Sequence, residues 1–151
     1  MNTEQFISEI RDSFPLPAPE SFATALNSLG QVPRAYSDFL ACRNGGWFYR
    51  EMRCELESNP FDIDYVTDPR FLGVGAAEWE DAHEASTDLL KFAIRTKTLI
   101  PSNCIPIAWN DEGLLLLHLK TGSVSFFINE GEASLPRRKT NSPLRSLLKI
   151  L

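Results

Sequence analysis

Apolar positions along this chain change period four times, and each change predicts a different element. Phe6, Ile7 and Ile10 predict a short first helix with Thr3 as its N-cap. Phe14-Pro15-Leu16-Pro17-Ala18-Pro19 cannot continue it, because each proline lacks an N–H, so an extended connector is expected. Ser21 to Leu26 predicts another turn or two of helix before Gly30. From Val32 the pattern sharpens. Val32, Tyr36, Phe39 and Leu40 recur at i, i+4, i+7 and i+8, one face of a helix opened by Pro33 at its first position. Asn44-Gly45-Gly46 should close that helix, since Asn and Gly tolerate the left-handed conformation, and the glycines would let the next strand pass close beneath it. Trp47-Phe48-Tyr49 reads as that strand.

The period then becomes two. Phe61, Ile63 and Tyr65 alternate with Asp62 and Asp64, as in a half-buried strand. Glu78 to Lys97 is helical in part or whole, with acids at its start and Lys91, Arg95 and Lys97 at its end, as the helix dipole favours. Trp79, Ala82, Ser86, Leu89, Leu90 and Ala93 form its inward face. A β-meander follows: Ile105–Trp109, a turn at Asn110–Gly113, Leu114–Leu119, a turn at Thr121-Gly122, then Val124–Ile128. Four successive leucines, 114 to 117, lack alternation and imply a central strand or burial on both faces. Pro106 fits a strand start or an edge better than a central ladder. Ser142-Pro143 opens a last helix with Leu144, Leu147, Leu148 and Leu151 on one face. The expected fold class is α+β: one domain over residues 1–151, a mostly antiparallel sheet with N- and C-terminal helices packed on it.

Two groups of these residues, in order and spacing, resemble the motifs of the SUKH superfamily. The first is Pro33, Tyr36, Phe39-Leu40 and Asn44-Gly45-Gly46. The second is Ile100-Pro101 followed by Ile105-Pro106-Ile107-Ala108, the acidic turn Asp111-Glu112-Gly113, and Gly122-Ser123-Val124 before Phe126-Phe127. That group includes immunity proteins of bacterial polymorphic toxin systems and fungal regulators of cell-wall synthesis. The resemblance implies a cytoplasmic, non-catalytic immunity protein that holds a toxin domain. An intracellular adaptor of the fungal kind is its alternative. Residues 50 to 98 carry no motif of the group.

Charge sharpens the partner. The net charge of the 151 residues is −5, but Glu51 to Asp88 holds eleven acids against Arg53 and Arg70, a net of −9, and the remainder stands at +4. Such a field is a poor footprint for direct nucleic-acid binding and suits a basic protein, for instance a nuclease-type toxin. Asp62, Asp64, Asp68, Glu78 and Glu80 would steer that partner, with Trp47, Tyr49, Tyr65 and Trp79 as apolar anchors. A monomer or weak homodimer is expected.

Composition removes other classes. Hydrophobic residues at 43% and charged residues at 23% describe a globular chain. There is no run of 18 apolar residues for a transmembrane helix, and the first six residues do not read as a signal peptide. Cys42, Cys54 and Cys104 lack metal spacing, so no metal or cofactor is expected and reduced thiols are. Gly73-Val74-Gly75 is no phosphate loop. Asp62-x-Asp64 is explained by strand alternation, and Arg137-Arg138-Lys139 by solvated charge. His83 lies among acids. One nucleophile pair is conceivable, Cys104 with His118 across the meander, but the sequence marks neither a group to orient the imidazole nor an oxyanion site. A small cysteine hydrolase is therefore the least favoured reading, and no catalytic residue is assigned.

Overall fold

A computed structural model describes residues 3–48, 53–55, 65–67, 69–75, 87–128 and 131–134. The elements are α1 (Thr3–Glu9), β1 (Ile10–Arg11), α2 (Pro19–Ser28), α3 (Arg34–Cys42), β2 (Gly46–Phe48), β3 (Arg53–Glu55), β4 (Tyr65–Thr67), β5 (Arg70–Phe71), α4 (Leu89–Thr96), β6 (Cys104–Trp109), β7 (Leu114–His118), β8 (Val124–Ile128) and β9 (Gly131–Ser134). Seven strands form one sheet in the order β1-β2-β5-β6-β7-β8-β9, every neighbouring pair antiparallel, and β3–β4 form a separate hairpin-like pair. The chain is thus α+β, as its patterning predicts. The expected last helix lies outside the described residues.

The helices cover one face of the sheet. Tyr36, Phe39 and Leu40 of α3 are buried and Val32 packs beside them, so the predicted stripe is the packed one. Phe39 meets Phe71 of β5 edge to face at 5.9 Å and stacks on Tyr36 at 6.3 Å. The same core takes Leu26 from α2, Leu89 from α4, and Ile105, Ile107, Ala108, Leu115, Leu117, Val124 and Phe126 from the meander. Leu116 and Phe127, which alternate with these, are buried as well yet lie outside that cluster. Both faces of the β7–β8 region are covered, which explains a leucine run without alternation: β7 is an inner strand.

Several expectations are corrected. Thr3 is the first residue of α1, inside the helix. Pro33 is the N-cap of α3 with φ −54° and ψ 135°; Pro19, at the start of α2, is the proline that occupies a first helical position. α3 ends at Cys42 because Arg43 turns extended (φ −143°, ψ 99°), and the left-handed residue comes two positions later at Gly45 (φ +70°). Of 78–97, expected to be helical in part or whole, the helical part among the described residues is α4. Asp88 is extended, and its Oδ1 accepts from Lys91 N at 3.1 Å, so α4 starts at Leu89 and the upstream acids are not in its first turn. Pro106 sits inside β6, an inner strand, where the register shifts between Pro106 and Ala108; the bulge is what admits a residue with no N–H. Two-residue strands β1 and β5, and β3 and β9, carry too few positions to show a period.

Candidate functional site

The Asn-Gly-Gly motif turns out to be an internal joint. Asn44 is 2% exposed. Its Nδ2 donates to Val74 O (2.8 Å) and Pro15 O (3.1 Å), its Oδ1 accepts from Val74 N (2.7 Å), and its own carbonyl accepts from Phe14 N (2.9 Å). One side chain therefore pairs backbone groups from two distant segments that have no ladder partner there. The fit leaves no room for a Cβ. At Gly45 it would stand 2.8–2.9 Å from the backbone of residues 71–73, and at Gly73 it would stand 2.7 Å from Asn44 O. Gly45 and Gly73 thus bring the segments around residues 44–45 and 71–73 together, and Gly46 lets β2 close on β1, where a Cβ would collide with Arg11 O. Gly73-Val74 is the mate of Asn44-Gly45, a role that its sequence does not advertise.

The other motif residues are structural too. Ile105 and Ile107 are core, and Gly113 lets the 110–113 turn pass against Phe127 O, where a Cβ would collide. Asn110 Oδ1 accepts from Glu112 N and Gly113 N, both at 2.9 Å, and shapes that turn. These motif residues build the fold.

Directly paired residues of neighbouring strands project to the same face. The row Arg11–Trp47–Arg70–Trp109–Leu114–Phe127 crosses β1, β2, β5, β6, β7 and β8 on the face away from the helical core. Within it the Arg70 guanidinium lies 4.1 Å from the Trp47 ring centre and 4.5 Å from that of Trp109. Trp47 is 42% exposed, whereas Phe127 further along the row is buried. Trp47 is thus exposed at the β2 end of this row, and half-buried Arg70 is a cation held between its indole and that of half-buried Trp109.

The same face bears a polar chain. Cys104 and His118 are Cα partners across β6 and β7, with Sγ 3.2 Å from Nδ1, and His118 Nε2 lies 3.0 Å from Ser125 Oγ on β8. His118 ends an inner strand and is not at a sheet edge. The register of the 118–124 hairpin sets Leu116 opposite Ser125 and so puts Ser125 diagonal to His118. That register is the signal from which this third group was readable.

On the helical side, an open groove of about 950 Å³ runs between the end of α2, α4 and the start of β6. Leu29, Leu90, Ala93 and Ile100 line it, and Ile94 on its rim is exposed.

The remaining sequence-derived site residues divide simply. Tyr65 opens β4, paired with Glu55. Tyr49, Asp62, Asp64, Asp68, Glu78, Trp79 and Glu80 lie outside the described residues. Asp88, counted among the acids of the middle segment, is 6% exposed and spent on capping α4, so it adds no surface charge. Cys42 and Cys104 carry no disulfide. Among the described residues no cluster of three metal-ligating side chains occurs, and no helix is long and apolar enough to cross a membrane.

Comparison of the chain with protein-family models, with curated proteins and with solved structures finds no match.

Proposed function

We propose that this chain is a non-catalytic protein-binding domain of the SUKH kind, an immunity protein that binds and neutralises a toxin domain. The observation that carries the reading is the Trp47–Arg70–Trp109 stack, with Trp47 exposed at its end. Trp and Arg dominate the energetics of protein interfaces, and side chains already fixed by stacking lose little freedom when a partner arrives. The motif residues support the same division of labour. Tyr36, Phe39, Leu40, Asn44, Gly45 and Gly46 are used up in packing, so specificity falls to surface residues.

In this reading Trp47, Tyr49, Tyr65 and Trp79 serve as anchors, while Asp62, Asp64, Asp68, Glu78 and Glu80 steer a basic, nuclease-type domain. The protein acts in the cytoplasm as a monomer or weak homodimer, without cofactor and without touching nucleic acid. The test is a pull-down with tagged chain from its own host and closely related strains, washed at low and high salt. The reading expects a basic toxin domain, retained less at high salt. Recovery of wall-synthesis or housekeeping proteins alone would replace it with the adaptor reading.

The Cys104–His118–Ser125 chain favours a second reading, a small cysteine hydrolase. Turnover of an activated ester that disappears in Cys104→Ala would establish it. Equal rates for the two proteins would dismiss it.

A further inference from the structure

We propose that Cys104 is a reactive thiol, activated by His118 and Ser125, that is modified by small hydroperoxides. The inference is independent of the toxin-binding reading. Three observations meet at this point. The thiol and the imidazole stand 3.2 Å apart on directly paired residues of two inner strands, so backbone register holds the pair together rather than chance side-chain rotation. The far nitrogen of the ring has its own partner, Ser125 Oγ at 3.0 Å, on a side chain only 5% exposed. Cys104 itself is only half-buried, and so is open to small molecules.

The chemistry follows from what each atom can accept. When the Sγ proton moves to Nδ1, the imidazolium donates one N–H to the thiolate and the other to Ser125 Oγ, so the charged pair is hydrogen-bonded at both nitrogens. Ser125 is thus a positioning residue, which fixes the ring and accepts a hydrogen bond from its second N–H. The thiolate attacks the terminal oxygen of a hydroperoxide. An S–O bond forms and the O–O bond breaks. The sulfur is oxidised by two electrons to a sulfenic acid, and the peroxide is reduced to an alcohol or to water. The departing oxygen takes the proton from Nδ1 and returns the imidazole to its neutral form. A low-molecular-weight thiol can then displace water from the sulfenic acid, leaving a mixed disulfide.

The experiment treats the full chain with hydrogen peroxide at pH 7 in the presence of dimedone and follows the sulfenic adduct on each cysteine peptide by mass spectrometry. Cys42, exposed on α3, is the internal reference thiol. An ordinary thiol is only a few per cent ionised at this pH, so ionisation, offset by lower intrinsic nucleophilicity, leaves room for roughly a tenfold gain. Access alone would order the two cysteines the other way, because Cys104 is the more buried. The proposal expects Cys104 to label about tenfold faster than Cys42. His118→Gln should bring it down to the Cys42 rate or below. Ser125→Ala, which removes a single oxygen and spares the imidazole, should lower it by a smaller factor and carries the test if His118→Gln fails to fold. Labelling of Cys104 no faster than Cys42, or fast labelling that neither substitution changes, would overturn the proposal.

Discussion

Replacing Asn44 by alanine should be among the most damaging single substitutions in this protein, although Asn44 lies in a loop. The side chain makes three hydrogen bonds, to Val74 N, Val74 O and Pro15 O, from a site 2% exposed. Each is worth about 1 kcal/mol net, and each backbone partner left buried and unpaired costs on the order of 1–3 kcal/mol. Water can reach Pro15, which is exposed, more readily than Val74, which is buried. The loss should therefore come to about 3–4 kcal/mol, a large part of the roughly 5–15 kcal/mol that stabilises a typical domain. Urea unfolding followed by tryptophan fluorescence would read it as a lower midpoint at unchanged slope. Asn44→Asp isolates the donor half of the joint. It keeps an acceptor for Val74 N but sets a carboxylate against the carbonyl oxygens of Val74 and Pro15. Burial and those oxygens disfavour the anion and raise its pKa above the unfolded value. Stability of this variant should thus be greatest in acid and fall as pH rises through the ordinary aspartate range. A loss below about 1 kcal/mol for Asn44→Ala, or an Asn44→Asp variant as stable as wild type at pH 7, would refute the joint as described.

Tyr36 offers the opposite sign. Its hydroxyl is buried without a hydrogen-bond partner, and burial pushes the phenol well above its ordinary value. Tyr36→Phe should be neutral or stabilising, by up to about 1 kcal/mol in urea unfolding. Above pH 10 the unfolded state ionises while the native phenol does not, so wild type loses about 1.4 kcal/mol per pH unit from this residue and the variant does not. Gly113→Ala drives a methyl group into Phe127 O and should lower the midpoint of thermal unfolding by several degrees. Asp88→Ala removes the cap accepted from Lys91 N and should cost about 1 kcal/mol, with faster amide exchange confined to the first turn of α4.

What could be read from the sequence follows the strength of local period. The α3 stripe, the meander and its inner leucine strand are visible, because eight to twenty residues repeat one pattern and burial enforces it. Within 78–97 the charge gradient locates a helix without its start, which the structure puts at Leu89. The break at Thr87-Asp88 comes from the long-range pairing of Asp88 with Gly73, which no local window contains. Gly73-Val74 likewise has meaning only opposite Asn44-Gly45. Of the site, Trp47 was legible as an exposed aromatic next to a glycine turn. Arg70 was not, since the sequence shows it as a lone base among acids and only strand order places it between Trp47 and Trp109. Cys104 and His118 could be paired on paper, and Ser125 required the register of β8.

The central claim, that the face carrying exposed Trp47 binds a protein toxin, is tested most directly by one comparative capture. Tagged wild type and Trp47→Ala, the variant first checked for an unchanged melting temperature, are mixed with extracts of closely related strains, and the bound proteins are identified. The account predicts a toxin domain held by wild type and reduced at least tenfold in the variant. A toxin retained equally by both would contradict the Trp47–Arg70–Trp109 surface as the binding face, and the absence of any toxin from the wild-type capture would contradict the immunity reading itself.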